Sequence, residues 1–241
     1  MKNPFHVLYE DNHLIIVNKK AGVLVHGDKT GDKTLEEYVK EYIKEKYNKP
    51  GDVFLGTVHR LDRPVSGLVI FAKTSKALER MNEIFKKRKI QKTYWAVTKR
   101  KPPKNADKLV HWLVKNPVTN KVSAHDIEVP NSQKAELHYR YLGFINEYHL
   151  IEVNPITGRP HQIRVQLASM GCQIRGDLKY GYPKANIDAS INLHARRVYF
   201  IHPVKNEPIV CKAPVPEHSF WEEFLSLDTE DVKIENLGFL Y

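Results

Sequence analysis

The chain has 241 residues and a formal charge of +10, from 38 Lys plus Arg against 28 Asp plus Glu, with 41% hydrophobic and 27% charged residues. That length suits one large domain or two modest ones, the composition is that of a soluble globular protein, and the longest early apolar run, residues 14–17, is far below the about 18 residues of a membrane helix, so neither a membrane span nor a secretory leader is expected. Two cysteines without a CxxC pair and twelve histidines without HExxH or HxH spacing predict no bound metal and no disulfide framework, which fits a reducing cytoplasm.

Residues 5–9 and 13–18 read as two short strands across a polar turn, and NKKAG at 18–22 breaks the pattern with a glycine turn. The spacing predicts a helix over 34–47: Thr34 and Glu37 form a capping box, and Leu35, Tyr38, Val39, Tyr42 and Ile43 share one face. The apolar run GLVIFA at 67–72 reads as a buried strand. A second helix starts at Thr74 and Ser75, carries Ala77, Leu78, Met81, Ile84 and Phe85 at helical spacing, and closes on the basic run 86–89, which suits the negative end of the helix dipole. Residues 91–98 are β-branched and aromatic, hence a strand. Residues 99–133 are polar, with prolines at 102, 103, 117 and 130, and read as a variable excursion holding one strand near 109–114. Residues 135–144 and 148–153 form a hairpin. Pro160 as first helical residue and Gly171 as C-terminal cap bracket a helix over 160–170. Strands at 193–201 and 208–212 and a short helix over 216–225 close the pattern. Regular βαβ alternation, repeats and linkers are all lacking, so a single α+β domain over 1–241 is expected.

The positive surplus favours polyanions as partners over a charge excess kept only for solubility. Three segments concentrate chemically capable side chains. HRLDRPVSG at 59–67 reads as a tight loop before a buried strand, with Asp62 between Arg60 and Arg63. Nearby positive charge would hold that carboxylate ionised and fit to act as nucleophile or base. From this segment alone, a structural ion pair on a loop is the simpler account. TGRPHQIR at 157–164 feeds a helix N-terminus, where Arg159 and His161 stand where phosphate ligands do. Arg164 lies three residues after His161, on the same helical face, among apolar neighbours. If it points inward it needs a carboxylate partner. KTYW at 92–95 sits in a strand, where aromatics such as Tyr94 are by themselves more often core than active site.

Taken together, these segments resemble the RluA-type family of pseudouridine synthases. The family pattern HRLDxxTSG followed by an apolar strand is matched by 59–72, its KxY by Lys92 to Tyr94, and its TGRxHQIR by 157–164. GDLKYG at 176–181, LHA at 193–195, His202 with Pro203, and NKKAG at 18–22 are also similar, so the ordered match spans roughly residues 5–215. Val65 replaces a usual threonine and Lys20 a usual proline. Neither change removes a group central to the reaction. The resemblance implies a pseudouridine synthase fold, a mostly antiparallel mixed sheet flanked by helices around a central RNA-binding cleft. The chain begins directly at this catalytic domain, and no small N-terminal RNA-binding domain of the S4 type is expected.

The activity implied is isomerisation of uridine to pseudouridine in structured ribosomal or transfer RNA. It needs no cofactor, because nothing is oxidised or transferred away. Asp62 is the implied catalytic carboxylate, Arg164 its partner, and Tyr94 the residue that stacks on the target base and carries a proton. Arg60 would fill the space of the flipped nucleotide, while His59, Lys92, Arg159 and His161 would serve the RNA contact. A monomer acting on RNA in the cytoplasm is expected, with no membrane and no obligate protein partner. Two rivals stand beside this reading. One is a non-catalytic RNA-binding module that keeps the fold. The other is a glycoside hydrolase, which would want two carboxylates flanking the bond, whereas the three motifs hold one acidic residue.

Overall fold

A computed structural model describes residues 4–27 and 31–228. Its strands are β1 (Phe5–Glu10), β2 (Leu14–Lys19), β3 (Gly56–Thr57), β4 (Ser66–Ala72), β5 (Ile90–Thr98), β6 (Ala106–Lys115), β7 (Val122–His125), β8 (Gln133–Ile145), β9 (Tyr148–Pro155), β10 (Leu193–Ile201) and β11 (Pro208–Lys212). They join into one sheet of order β1-β2-β4-β10-β5-β9-β8-β6-β7, with β11 also pairing β10 and β3 also pairing β4. The helices are α1 (Leu35–Lys46), α2 (Ser75–Lys86), α3 (Gln162–Ser169) and α4 (Ser219–Glu222). No helix among the described residues is long and apolar enough to cross a membrane.

Strands β2 and β4 are buried at every residue. Successive side chains point to opposite faces, so both faces of the sheet are covered there. The main core joins these strands to Leu35, Val39 and Ile43 of α1 and to Ala77 and Met81 of α2. Helix α1 starts as its sequence dictates: the Thr34 side chain accepts the Glu37 N–H while Glu37 reaches back to the Thr34 N–H. A second core on the reverse of the sheet packs Trp95, Val97 and Leu150 against Val215, Trp221 and Phe224.

Among the described residues the strand pairings are antiparallel except one: β10 runs parallel to β4, His194 opposite Ser66 and Ala195 opposite Gly67. Gly67 has φ +113°, and a Cβ there would lie 2.3 Å from the Ala195 carbonyl oxygen. Only glycine lets the two backbones come this close. The loop carrying Asp62 feeds directly into this junction.

Four segments depart from the sequence-based expectation. The excursion at 99–133 contributes two strands, β6 and β7, that extend the main sheet past β8; its prolines all fall in connections. Helix α3 starts at Gln162 and not at Pro160, because the chain first makes a turn in which the Gln162 N–H donates to the Arg159 carbonyl and His161 takes φ 52°. The basic run 86–89 lies mostly beyond its helix: α2 ends at Lys86, and Arg88 is left-handed at φ 56°. The closing helix is one turn, α4, followed by a 3₁₀ segment over Glu223–Leu227.

Candidate active site

The loop between β3 and β4 is anchored at both ends. His59 Nε2 accepts the Ile70 N–H at 3.1 Å, and its ring stacks on Phe85. Burial and the nearby Lys92 charge push the His59 pKa down to about 3, so the ring is neutral and suited to that acceptor role. On the other side the fully buried Lys19 donates to the carbonyls of Lys20, Val23 and Arg63 at 3.0, 2.9 and 3.3 Å. Burial pushes the Lys19 ammonium down to about 7, against the opposing pull of Asp62.

Between these anchors Asp62 keeps 30% of its side-chain surface exposed. Its Oδ2 accepts from Arg164 Nη1 at 2.8 Å, joining residues 102 apart in the chain. Arg164 is only 6% exposed. Its other edge donates to Asp177 through Nε at 2.7 Å and Nη2 at 2.8 Å, a two-pronged pair with a carboxylate that is 1% exposed. Burial disfavours the charged guanidinium, but Asp177 and Asp62 outweigh it and raise its pKa. One buried cation thus bridges two carboxylates: Asp177 holds it, and it holds Asp62.

The neighbouring arginines are not the partners of Asp62 that their spacing suggests. Arg63 donates to the Gly22 carbonyl and pairs with Asp32, and Arg60 is exposed. Tight-loop geometry turns consecutive side chains in different directions, so adjacency in sequence does not bring charge to the carboxylate. Tyr94 is 8% exposed. Burial, reinforced by the Asp62 charge, raises its hydroxyl pKa, so it stays protonated at neutral pH. Lys92 is half-buried with its ammonium 5.6 Å from the Phe85 ring centre, and burial lowers its pKa.

The loop before α3 is built around Gln162, whose Oε1 accepts from Thr157 Oγ1 and the Arg159 N–H and whose Nε2 donates to the Glu136 carbonyl. Arg159 Nε in turn donates to the Lys134 carbonyl at 3.2 Å. His161 points into the site, with Nε2 3.8 Å from Asp62 Oδ2 and Nδ1 2.7 Å from the Tyr180 hydroxyl. The structure thus places this residue of the expected RNA contact beside the carboxylate.

Asp177 and Tyr180 were not assigned roles from sequence. The available signal was the rule that a buried guanidinium needs full pairing: a half-exposed Asp62 alone does not supply it, and GDLKYG offers the nearest carboxylate downstream of Arg164. Among the described residues no group of three or more His, Cys, Asp or Glu is placed to hold a metal ion. A depression of about 410 Å³, lined by Lys108, His138, Arg140, Glu152 and Asn154 among others, lies away from this site. Glu152 and Asn154 flank Val153, the partner of Tyr94, and so face the reverse of the sheet.

The mixed sheet flanked by helices is a pseudouridine synthase fold. Two solved human structures share it: RNA Pseudouridylate Synthase Domain Containing 4 (TM-score 0.75, 24% identity, 92% of each chain covered) and Domain Containing 1 (TM-score 0.69, 20% identity, 95% of this chain and 96% of that one). A family model described as RNA pseudouridylate synthase matches residues 13–169, and the chain belongs to that family. Similar curated relatives include proteins named ribosomal large subunit pseudouridine synthase C from Vibrio cholerae (31% identity, 88% of this chain, 66% of the relative) and Rickettsia felis (33% identity, 91% of this chain, 70% of the relative). The chain thus spans 66% of the length of its Vibrio cholerae relative.

Proposed function

We propose that this chain isomerises uridine to pseudouridine in RNA, with Asp62 as the reacting carboxylate. The observation that carries the reading is the bridge: Asp62 Oδ2 is held at 2.8 Å by a guanidinium that is itself pinned by a buried Asp177. Such a carboxylate is aimed and kept charge-paired while part of it still meets solvent. In the reaction the C1′–N1 bond breaks, the uracil turns, C1′ bonds to C5, and the hydrogen on C5 is released as N1 gains one. Composition and oxidation state are unchanged, so the chemistry calls for no cofactor.

Tyr94 stacks on the base and carries a proton through its protonated hydroxyl. The uracil reacts outside its stack, and the exposed Arg60 is the candidate to fill the vacated space. Lys92 and Arg159 supply cations toward the backbone. The relatives' names favour RNA of the large ribosomal subunit over transfer RNA as the substrate. We take the described fold to act as one catalytic domain, as a monomer, in the cytoplasm. Asp177 brings a second carboxylate near, but both its oxygens are occupied by Arg164. It is therefore no second acid for the glycoside hydrolase reading, whose two carboxyl groups must both face the bond.

Pseudouridine mapping across cellular RNA with and without this protein tests the proposal. Loss of one or a few ribosomal sites is expected. Unchanged maps, or release of free uracil by the purified protein, would refute it.

A further inference from the structure

Tyr180 closes a hydrogen-bonded chain that the isomerase reading leaves unused. The Val122 N–H at the start of β7 donates to the Tyr180 hydroxyl oxygen at 3.0 Å, and that hydroxyl lies 2.7 Å from His161 Nδ1. The hydroxyl has one hydrogen, and among the described residues the acceptor within its reach is Nδ1. The proton of a neutral His161 then sits on Nε2. Nε2 is 3.8 Å from Asp62 Oδ2, beyond hydrogen-bonding distance, and has no hydrogen-bond partner among the described residues. The ring stands edge-on to Tyr180, fixed by the left-handed backbone at His161.

We infer that Tyr180 is a positioning residue that locks His161 as the Nε2–H tautomer, so that a neutral donor stands beside Asp62 for an oxygen of the target nucleotide. The inference rests on the isomerase reading for its nucleotide and on geometry alone for its tautomer. Neutrality matters here. An imidazolium would add a second cation at the Asp62 oxygen that Arg164 already holds, whereas a neutral N–H adds a donor without quenching the charge. The groups facing the ring are Asp62 from the loop before β4, Arg164 from α3, and Asp177, Lys179 and Tyr180 from the segment around the 3₁₀ turn Leu178–Tyr180. Burial and the two cations oppose protonation, and the two carboxylates favour it; the balance lowers the His161 pKa.

Long-range ¹H–¹⁵N NMR of the full chain with labelled histidine reads the tautomer directly, with His161→Asn assigning the signal. Asparagine tolerates the left-handed backbone that position 161 requires. The wild type is expected to show protonated Nε2 and an unprotonated, hydrogen-bonded Nδ1, and Tyr180→Phe to release the ring into a tautomer mixture. In turnover, His161→Asn should lower kcat by about 10²-fold or more, the range of a positioned proton donor, and Tyr180→Phe by about tenfold or more with KM nearly unchanged. An Nδ1–H tautomer in the wild type overturns the inference even if Tyr180→Phe fails to fold. So does a tautomer indifferent to Tyr180→Phe, or a His161→Asn variant with wild-type kcat. A wild-type protein with a locked tautomer but no isomerase activity would instead sink the isomerase reading, since the NMR needs no turnover.

Discussion

Replacing Arg164 with methionine keeps much of the side chain's length and removes its charge. Asp177, 1% exposed, is then left as a buried carboxylate without the cation that occupies both its oxygens. Breaking a buried pair from one side costs about 3–5 kcal/mol. A Coulomb check agrees: unit charges ~4 Å apart at an effective dielectric of ~20 interact by about 4 kcal/mol. For a chain of this size each kcal/mol shifts Tm by about 2–4 °C, so Arg164→Met should melt roughly 6–20 °C early. Asp177→Leu should cost a comparable amount, because Arg164 keeps only the half-exposed Asp62. The double variant buries neither charge and should recover most of the loss, as hydrophobic replacement of a whole buried pair often does. Thermal and urea melts of the four proteins form a double-mutant cycle. Costs that simply add would refute the view of Arg164 and Asp177 as one buried unit. Stability regained in the double variant should not bring activity with it, because Asp62 has lost its partner.

Tyr94→Phe keeps the stacking ring and should leave RNA affinity nearly unchanged while lowering the single-turnover rate by about 10²-fold or more; an unchanged rate would reduce the hydroxyl to a bystander. Lys19 sits at about 7 when folded against an ordinary 10.5. Between those values the native chain has shed a proton that the unfolded chain still binds, so stability rises with pH across this window, by up to about 1.4 kcal/mol per pH unit. Lys19→Met should flatten that rise relative to wild type in urea melts at stepped pH, and parallel curves would contradict it. RNA affinity should fall as salt is raised, through release of counterions from the phosphates, and a flat response in filter binding would contradict a basic RNA face.

Much of the scaffold was legible because local rules acted alone. The Thr34–Glu37 box and the stripe Leu35, Val39 and Ile43 give α1 to within a residue, and β10 and β11 span the residues read as strands from the sequence. Local rules misled where tertiary contacts override them. Pro160 suits a first helical position, yet the Gln162 side chain organises a turn there and delays α3. The polar, proline-rich 99–133 segment hides β7, a short strand that pairs with β6 across the turn at 116–121 and meets the hydroxyl of Tyr180, 58 residues further along the chain. The site divides the same way. The Asp62–Arg164 contact was expected through the resemblance, and the two side chains do meet. The charges adjacent to Asp62 in sequence were misleading, because loop geometry sends Arg63 to Gly22 and Asp32. Asp177 was hidden because its role depends on the depth of Arg164, a property that no spacing along the chain encodes.

The most direct test is tritium release from RNA labelled at C5 of uridine, under single turnover, for wild type and Asp62→Asn. Asparagine preserves the size of the side chain and an oxygen for Arg164 while removing the carboxylate. The variant should fold and bind RNA much as wild type does and release no tritium above background. Release at the wild-type rate would contradict the assignment of Asp62 as the reacting group.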